Sequence, residues 1–114
     1  MAQQWGVTAE VKALCHNMTG MSDANIVLVM ENIEGWAKAM LKIPSTFTFD
    51  AAKIPHKTLR YLVNVKTALV VMTPMSFNTL EECALVADIL HDEYVDCLKF
   101  LQNNPGYIHF ITEQ

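Results

Sequence analysis

Two groups of side chains in this sequence have the residue types of a catalytic or metal site. Cys15 and His16 could form a thiol nucleophile and its base, but neighbours on a helix point about 100° apart and do not face each other. Asp88, His91 and Asp92 fall on one helical face at spacings of three and four, which could hold a divalent metal. A solvated acidic face explains the same three residues, and no second ligand cluster accompanies them. We therefore expect neither catalysis nor a bound metal.

The remaining residues that could do chemistry are scattered. His56 and His109 stand alone, and the four glycines form no phosphate-binding loop. The three cysteines are odd in number and lack a C-x-x-C spacing, which predicts reduced thiols and synthesis in a reducing cytoplasm. The sequence contains no G-x-S-x-G, H-E-x-x-H or G-x-G-x-x-G motif. It predicts a protein that is not an enzyme and takes no cofactor.

Length and composition limit the class of protein. The chain has 114 residues, enough for one domain, and its 52% hydrophobic against 18% charged residues exclude intrinsic disorder. The longest apolar runs, Ile26–Met30 and Ala68–Met72, are far shorter than the roughly 20 residues of a bilayer crossing, and the N-terminus does not read as a secretory signal. In a domain this small, we expect part of the apolar surplus to lie on a surface that another chain covers.

Helical spacing of apolar residues predicts four helices. The first is short and capped by Thr8, and the second runs from about Ser22 to Lys42 and stops before Pro44. The third begins near Pro55 and ends before Thr73-Pro74. The fourth opens with Thr79-Leu80-Glu81-Glu82, which matches a capping box in which Glu82 reaches back to the cap. The elements therefore predict an all-α fold resembling a four-helix bundle.

Two segments depart from the helical period. Ile43–Ile54 predicts a long, partly extended loop, and its Phe47 and Phe49 would either dock onto a partner or fold onto the core. Tyr107–Thr112 alternates weakly and is rich in strand formers, which predicts an extended C-terminal tail. The expected organisation is a helical domain over 1–106 and an extended tail over 107–114.

The charges are separated along the chain although the net charge is only −4. Residues 38–66 hold six of the eight basic side chains against one acid, Asp50, whereas residues 81–96 hold six acids and no lysine or arginine. Three interpretations are open. The two stretches could neutralise each other within one chain, the basic stretch could bind nucleic acid, or the stretches could pair between copies in head-to-tail fashion. The acidic isoelectric point, about 5.4, counts against nucleic acid.

The order of elements resembles the small helical head-to-tail adaptors of tailed bacteriophages, which sit beneath the portal. The resemblance covers roughly Val7 to Leu101. It consists of four parts: Val7–Leu14 as a threonine-led short helix, Met21–Ile26 leading a long helix through Glu34-Gly35-Trp36-Ala37, Ile54-Pro55 entering a helix of Leu59, Leu62 and Ala68, and an acidic helix through Ala87, Leu90, Tyr94 and Leu98.

The resemblance implies a virion structural protein of the neck, between capsid and tail. Such a protein would form a ring, dodecameric in that family, would bind the portal and a tail or stopper protein, and would let DNA pass through its channel without specific binding. It would be found in the virion, and in the host cytoplasm during assembly. Members of the family use extended loops or C-terminal arms to reach their neighbours. The alternative is a small cytoplasmic helical module that binds one partner and forms no ring.

Charge, apolar character and position together select the expected interface residues, in contact with another subunit or the portal. They are Phe47, Phe49, Lys53, Lys57, Arg60, Glu81, Asp88, Asp92, Tyr107, Ile108, Phe110 and Ile111.

Overall fold

A computed structural model describes residues 5–74 and 76–113. These residues form five α-helices and no strand: α1 (Thr8–Leu14), α2 (Asp23–Met40), α3 (Lys57–Val71), α4 (Leu80–Asn103) and α5 (Pro105–Thr112). Short 3-10 turns at Ile54–His56 and Phe77–Thr79 lead into α3 and α4. The prediction of an all-α chain is confirmed. No helix within the described residues is long and apolar enough to span a bilayer.

Helix α3 lies at the centre of the molecule, with α1, α2 and α4 packed against it. Eight of its residues are buried, including the polar Asn64 and Thr67, because neighbours cover it on several sides. Helix α5 packs on the end of α4. A central helix with a two-turn α1 and an added α5 differs in detail from a regular four-helix bundle, in which four long helices line one core.

The start of α2 is as predicted, but the starts of α1 and α4 are not. The Ser22 hydroxyl accepts a hydrogen bond from the Asn25 N–H at 3.3 Å, as an N-cap does. Thr8 is the first helical residue of α1, and the cap position belongs to Val7, whose side chain makes no capping bond.

The predicted capping box at α4 is wrong. Thr79 ends a 3-10 turn, so its backbone is not extended as a capping residue requires. The Thr79 hydroxyl bonds to the preceding turn instead of to α4. It donates to the Ser76 carbonyl at 2.9 Å and accepts from the Ser76 N–H at 3.0 Å. Glu82 instead contacts the ring of His16 at 3.4 Å.

The C-terminal segment is a helix, so the prediction of an extended tail over 107–114 is wrong for the residues described. Pro105 occupies the first turn of α5, where its fixed φ favours helix. Ile108 and Ile111 lie three residues apart and are both buried, which a strand would not allow on one face. Tertiary packing therefore overrides the strand preference of these residues, and 105–112 belongs to the helical domain. Gln114, like residues 1–4, lies outside the described part of the chain.

The predicted long loop between α2 and α3 is present, and it folds onto the core. Phe49 is buried and its ring stacks on Trp5 with centroids 6.1 Å apart. Phe47 is half-buried and meets Trp5 edge-on at 6.0 Å. The Asp50 N–H donates to Nδ1 of the buried His56 at 2.9 Å. Of the two interpretations of these phenylalanines, packing on the chain's own core is the one the structure shows.

Gly6 lies in the N-terminal segment (residues 5–7), close to Met30 of α2 and Asn64 of α3. A Cβ there would lie 2.5 Å from Met30 Sδ and 2.9 Å from Asn64 Oδ1. Both neighbours are buried, and Asn64 Oδ1 already accepts the Val7 N–H, so neither can move freely. We expect Gly6→Ala to lower the free energy of unfolding by about 2 kcal/mol, measured by urea denaturation.

Gly35→Ala is the matched control. Gly35 lies in the interior of α2 with open space around its missing Cβ. Alanine there should raise the free energy of unfolding by about 0.5–1 kcal/mol through helix propensity. Equal effects at the two glycines would contradict the close approach at Gly6.

Candidate interaction surface

Helix α4 exposes an apolar pair among carboxylates. Leu85 is 61% exposed and Ile89 is 52% exposed, while the opposite side of the helix is buried through Cys83, Val86, Leu90 and Leu101. Glu81, Asp88 and Asp92 are exposed at spacings of three or four from this pair, so they border it on the helix surface. We call these five residues (Glu81, Leu85, Asp88, Ile89 and Asp92) the acidic–apolar face.

A groove between α1 and α4 adjoins this face. Its volume is about 230 Å³, and Ile89 forms part of its wall. The other lining residues are Ala13, Leu14, His16, Val86, Leu90 and Glu93. The acidic–apolar face therefore continues into a shallow apolar depression with polar side chains at its rim.

The turn before α3 carries the most exposed large apolar side chain of the described residues. Ile54 is 76% exposed and stands between Lys53, which is half-buried, and Lys57, which is exposed. We call the segment Lys53–Lys57 the basic turn. Its position is fixed from inside the molecule, because His56 is fully buried and bonded to Asp50 N–H and to the Ile111 carbonyl.

Arg60, expected at the interface, is used inside the chain. Its Nε donates to the Trp5 carbonyl at 2.6 Å, and its guanidinium lies over the Phe49 ring at 5.1 Å. The N-terminal segment is also held by Glu34, whose Oε1 accepts the Trp5 N–H at 2.8 Å. Arg60 therefore holds Trp5 and Phe49 within the chain.

The C-terminal residues expected at the interface divide into buried and exposed ones. Ile108 and Ile111 are buried in the chain's own core, because α5 is helical. Tyr107 is half-buried, and its hydroxyl lies 3.1 Å from Thr58 Oγ1. Phe110 is exposed beside it, with ring centroids 6.2 Å apart. Of this group, Phe110 presents the largest accessible apolar surface.

In the part of the chain that the structure describes, no ion pair joins the basic and acidic stretches. Across 5–74 and 76–113, the ion pairs are Lys12–Asp23, His16–Glu82, Lys38–Glu34 and His109–Glu113. None of them connects residues 38–66 with residues 81–96. Lys53, Lys57, Asp88 and Asp92 take part in no ion pair within this part of the chain.

Helices α3 and α4 share the apolar core, and polar and aromatic groups add contacts beside it. The Tyr61 hydroxyl donates to Glu93 Oε2, and burial together with this hydrogen bond raises the pKa of Tyr61 to about 12. Lys66 Nζ lies 4.6 Å from the centre of the Tyr94 ring and 6.0 Å from that of Trp36. Direct pairing of the two charged stretches is therefore not how these helices are held together.

The cysteines and the candidate metal ligands form no reactive site in the described residues. Burial raises the pKa of Cys97 to about 11 and also raises that of Cys15, so both are protonated thiols at neutral pH and poor nucleophiles. The three cysteines are unpaired. Within the described residues, no group of three or more His, Cys, Asp or Glu side chains is placed to hold a metal ion.

Sequence patterns missed three residues of this surface. Leu85 and Ile89 lie outside the buried stripe of the fourth helix. Their spacing of four residues places them together on its surface, and this spacing could have indicated an exposed apolar pair. Ile54 gave no signal, because an apolar residue at the end of a loop is as often buried as exposed.

Comparisons of the chain with protein-family models, curated proteins and solved structures gave no match.

Proposed function

We propose that this chain is a structural subunit that assembles head to tail into a closed ring, as the head-to-tail adaptor of a tailed bacteriophage. In this role it would dock beneath the portal, bind a tail or stopper protein on its other side, and extend the channel through which DNA passes. The observation that carries the proposal is that Ile54 and Lys57 of the basic turn and all five residues of the acidic–apolar face are exposed, and that no ion pair within the described residues joins the two surfaces.

Complementary patches on different parts of one molecule favour repeated assembly. A contact between unlike surfaces leaves one of each surface open on the growing assembly, so subunits continue to add. The assembly ends as a ring when the rotation between neighbours closes. The apolar side chains Ile54, Leu85 and Ile89 would supply affinity, and the charges would supply orientation and speed of association. The surplus of apolar residues in this small chain is consistent with that division of roles.

The acidic side chains also suit passage of DNA. Phosphates are repelled by a negatively charged wall, so DNA would slide past acidic residues of a channel without binding to them. This part of the proposal requires that some exposed acids of the subunit face the channel in the ring.

Native mass spectrometry of the chain, alone and mixed with the portal protein encoded near its gene, tests the proposal. We expect many copies of the chain in one assembly, either by itself or on the portal ring. A chain that stays monomeric in both samples would overturn the adaptor function. A complex with a single copy of one partner would instead indicate a small interaction module.

A further inference from the structure

We infer that the basic turn of one copy docks on the acidic–apolar face of the next, with Ile54 packed against Leu85 and Ile89. Lys53 and Lys57 then lie beside Asp88 and Asp92 of that copy. This inference rests on the proposed function, and it specifies which surfaces meet when copies of the chain assemble.

The basic turn has the character of a rigid apolar anchor. Ile54 is followed by Pro55, which fixes the backbone, and by His56, which is fully buried and holds both Asp50 N–H and the Ile111 carbonyl. A backbone held this way loses little conformational freedom when a partner covers the turn. The large exposed fraction of Ile54, 76%, is then surface that assembly removes from water.

The acidic–apolar face has matching shape and charge. Leu85 and Ile89 lie side by side, and the adjoining groove of about 230 Å³ has room for a branched aliphatic side chain. Asp88 and Asp92 border this apolar pair in the way that Lys53 and Lys57 border Ile54. None of the four charges has an ion-pair partner in the described chain, so pairing between copies breaks no existing ion pair.

Within a single copy, Ile54 is too far from the apolar pair Leu85 and Ile89 to pack against it. Helices α3 and α4 are joined by a short connection and run antiparallel, and the contact between Tyr61 and Glu93 marks one level along them. Ile54 lies seven residues before Tyr61, and Leu85 lies eight residues before Glu93, on the other side of that level. At about 1.5 Å per helical residue, the two side chains are separated by roughly 20 Å along the axis. The contact therefore forms between copies and joins unlike surfaces.

Ile54→Asp is the first test, with Leu28→Asp as its control. Leu28 is another exposed aliphatic side chain, at 59%, and it lies on α2, which contributes no residue to either surface. We expect Ile54→Asp to raise the concentration of half-maximal assembly by at least about 100-fold, whereas Leu28→Asp changes it by less than about 3-fold. Sedimentation velocity, alone and with the portal protein, gives both values, and circular dichroism checks that each variant is folded.

Charge reversal gives a second test of the contact, in which two defective variants should restore assembly when they are mixed. A Lys53→Glu/Lys57→Glu variant and an Asp88→Lys/Asp92→Lys variant should each fail to assemble, because in each one the turn and the face carry the same sign. Mixed together, they should assemble, since every turn then finds a face of opposite charge. Raising the ionic strength should weaken assembly of the wild type.

The outcomes separate this contact from the proposed function. If the wild type assembles and the Ile54→Asp and charge-reversed variants assemble equally well, the contact is wrong and the ring function stands. If the wild type forms open chains that Ile54→Asp abolishes, the contact is right and the closed ring is wrong. A wild type that stops at two-fold dimers overturns both. A wild type that is monomeric under all conditions, with and without the portal protein, overturns both.

Discussion

Replacing His56 by alanine is expected to lower the free energy of unfolding by about 3 kcal/mol, because the substitution empties a fully buried site and removes two hydrogen bonds. Nδ1 of His56 accepts the Asp50 N–H at 2.9 Å, so the ring proton is on Nε2, which donates to the Ile111 carbonyl at 3.1 Å. One side chain thereby connects the loop, the start of α3 and the end of α5. Urea denaturation followed by circular dichroism measures the loss.

The control for this prediction is His109→Ala. His109 lies on the exposed side of α5, and its removal should change the free energy of unfolding by no more than about 0.5 kcal/mol. In the His56 variant, amide hydrogen exchange should also quicken at Asp50 and in the last turn of α5. A loss below 1 kcal/mol, with exchange unchanged at both places, would contradict the connecting role of His56.

Trp5→Ala is expected to lower the free energy of unfolding by about 4 kcal/mol. The Trp5 ring is buried, stacks on Phe49 and meets Phe47 edge-on, and Lys38 Nζ lies 5.5 Å from the ring centre. Without the indole, the loop and the N-terminal segment lose their shared apolar contact. Arg60 and Glu34 would then hold a backbone segment that is no longer packed against the core.

Trp36→Ala is the matched control, since Trp36 is the other tryptophan and is only half-buried. Its loss should be about half that of Trp5→Ala, because less apolar surface is re-exposed. Chemical denaturation of both variants gives the comparison. A Trp5 variant as stable as the Trp36 variant would mean that the N-terminal segment is not part of the core.

Helices whose caps and apolar stripes lie within their own sequence were predicted correctly. Helix α2 has a serine cap, a long apolar stripe and a proline just beyond its end, so its position follows from residues close in sequence. The C-terminal segment was predicted wrongly because its residues favour strands, and only the core contacts of Ile108 and Ile111 make it helical. The prediction of a capping box was wrong because Thr79 belongs to a 3-10 turn before α4, and no sequence pattern predicted that turn.

The candidate surface could be predicted only where exposure follows from residues close in sequence. Glu81, Asp88 and Asp92 are exposed as expected, since a run of acids on a helix is normally solvated. Phe49 and Arg60 were expected at an interface, but they contact Trp5, more than 40 residues away in the chain. Such long-range contacts depend on how the elements pack, which composition and spacing do not specify.

The central claim, that this chain closes into a ring, is tested most directly by electron microscopy of the particles it forms, alone and on the portal protein. We expect class averages with rotational symmetry and an open centre, in which each subunit has the same two neighbours. Single compact particles of about 47 Å in their longest dimension, the size of one subunit, would contradict the account. Two-fold dimers or open filaments would contradict it as well.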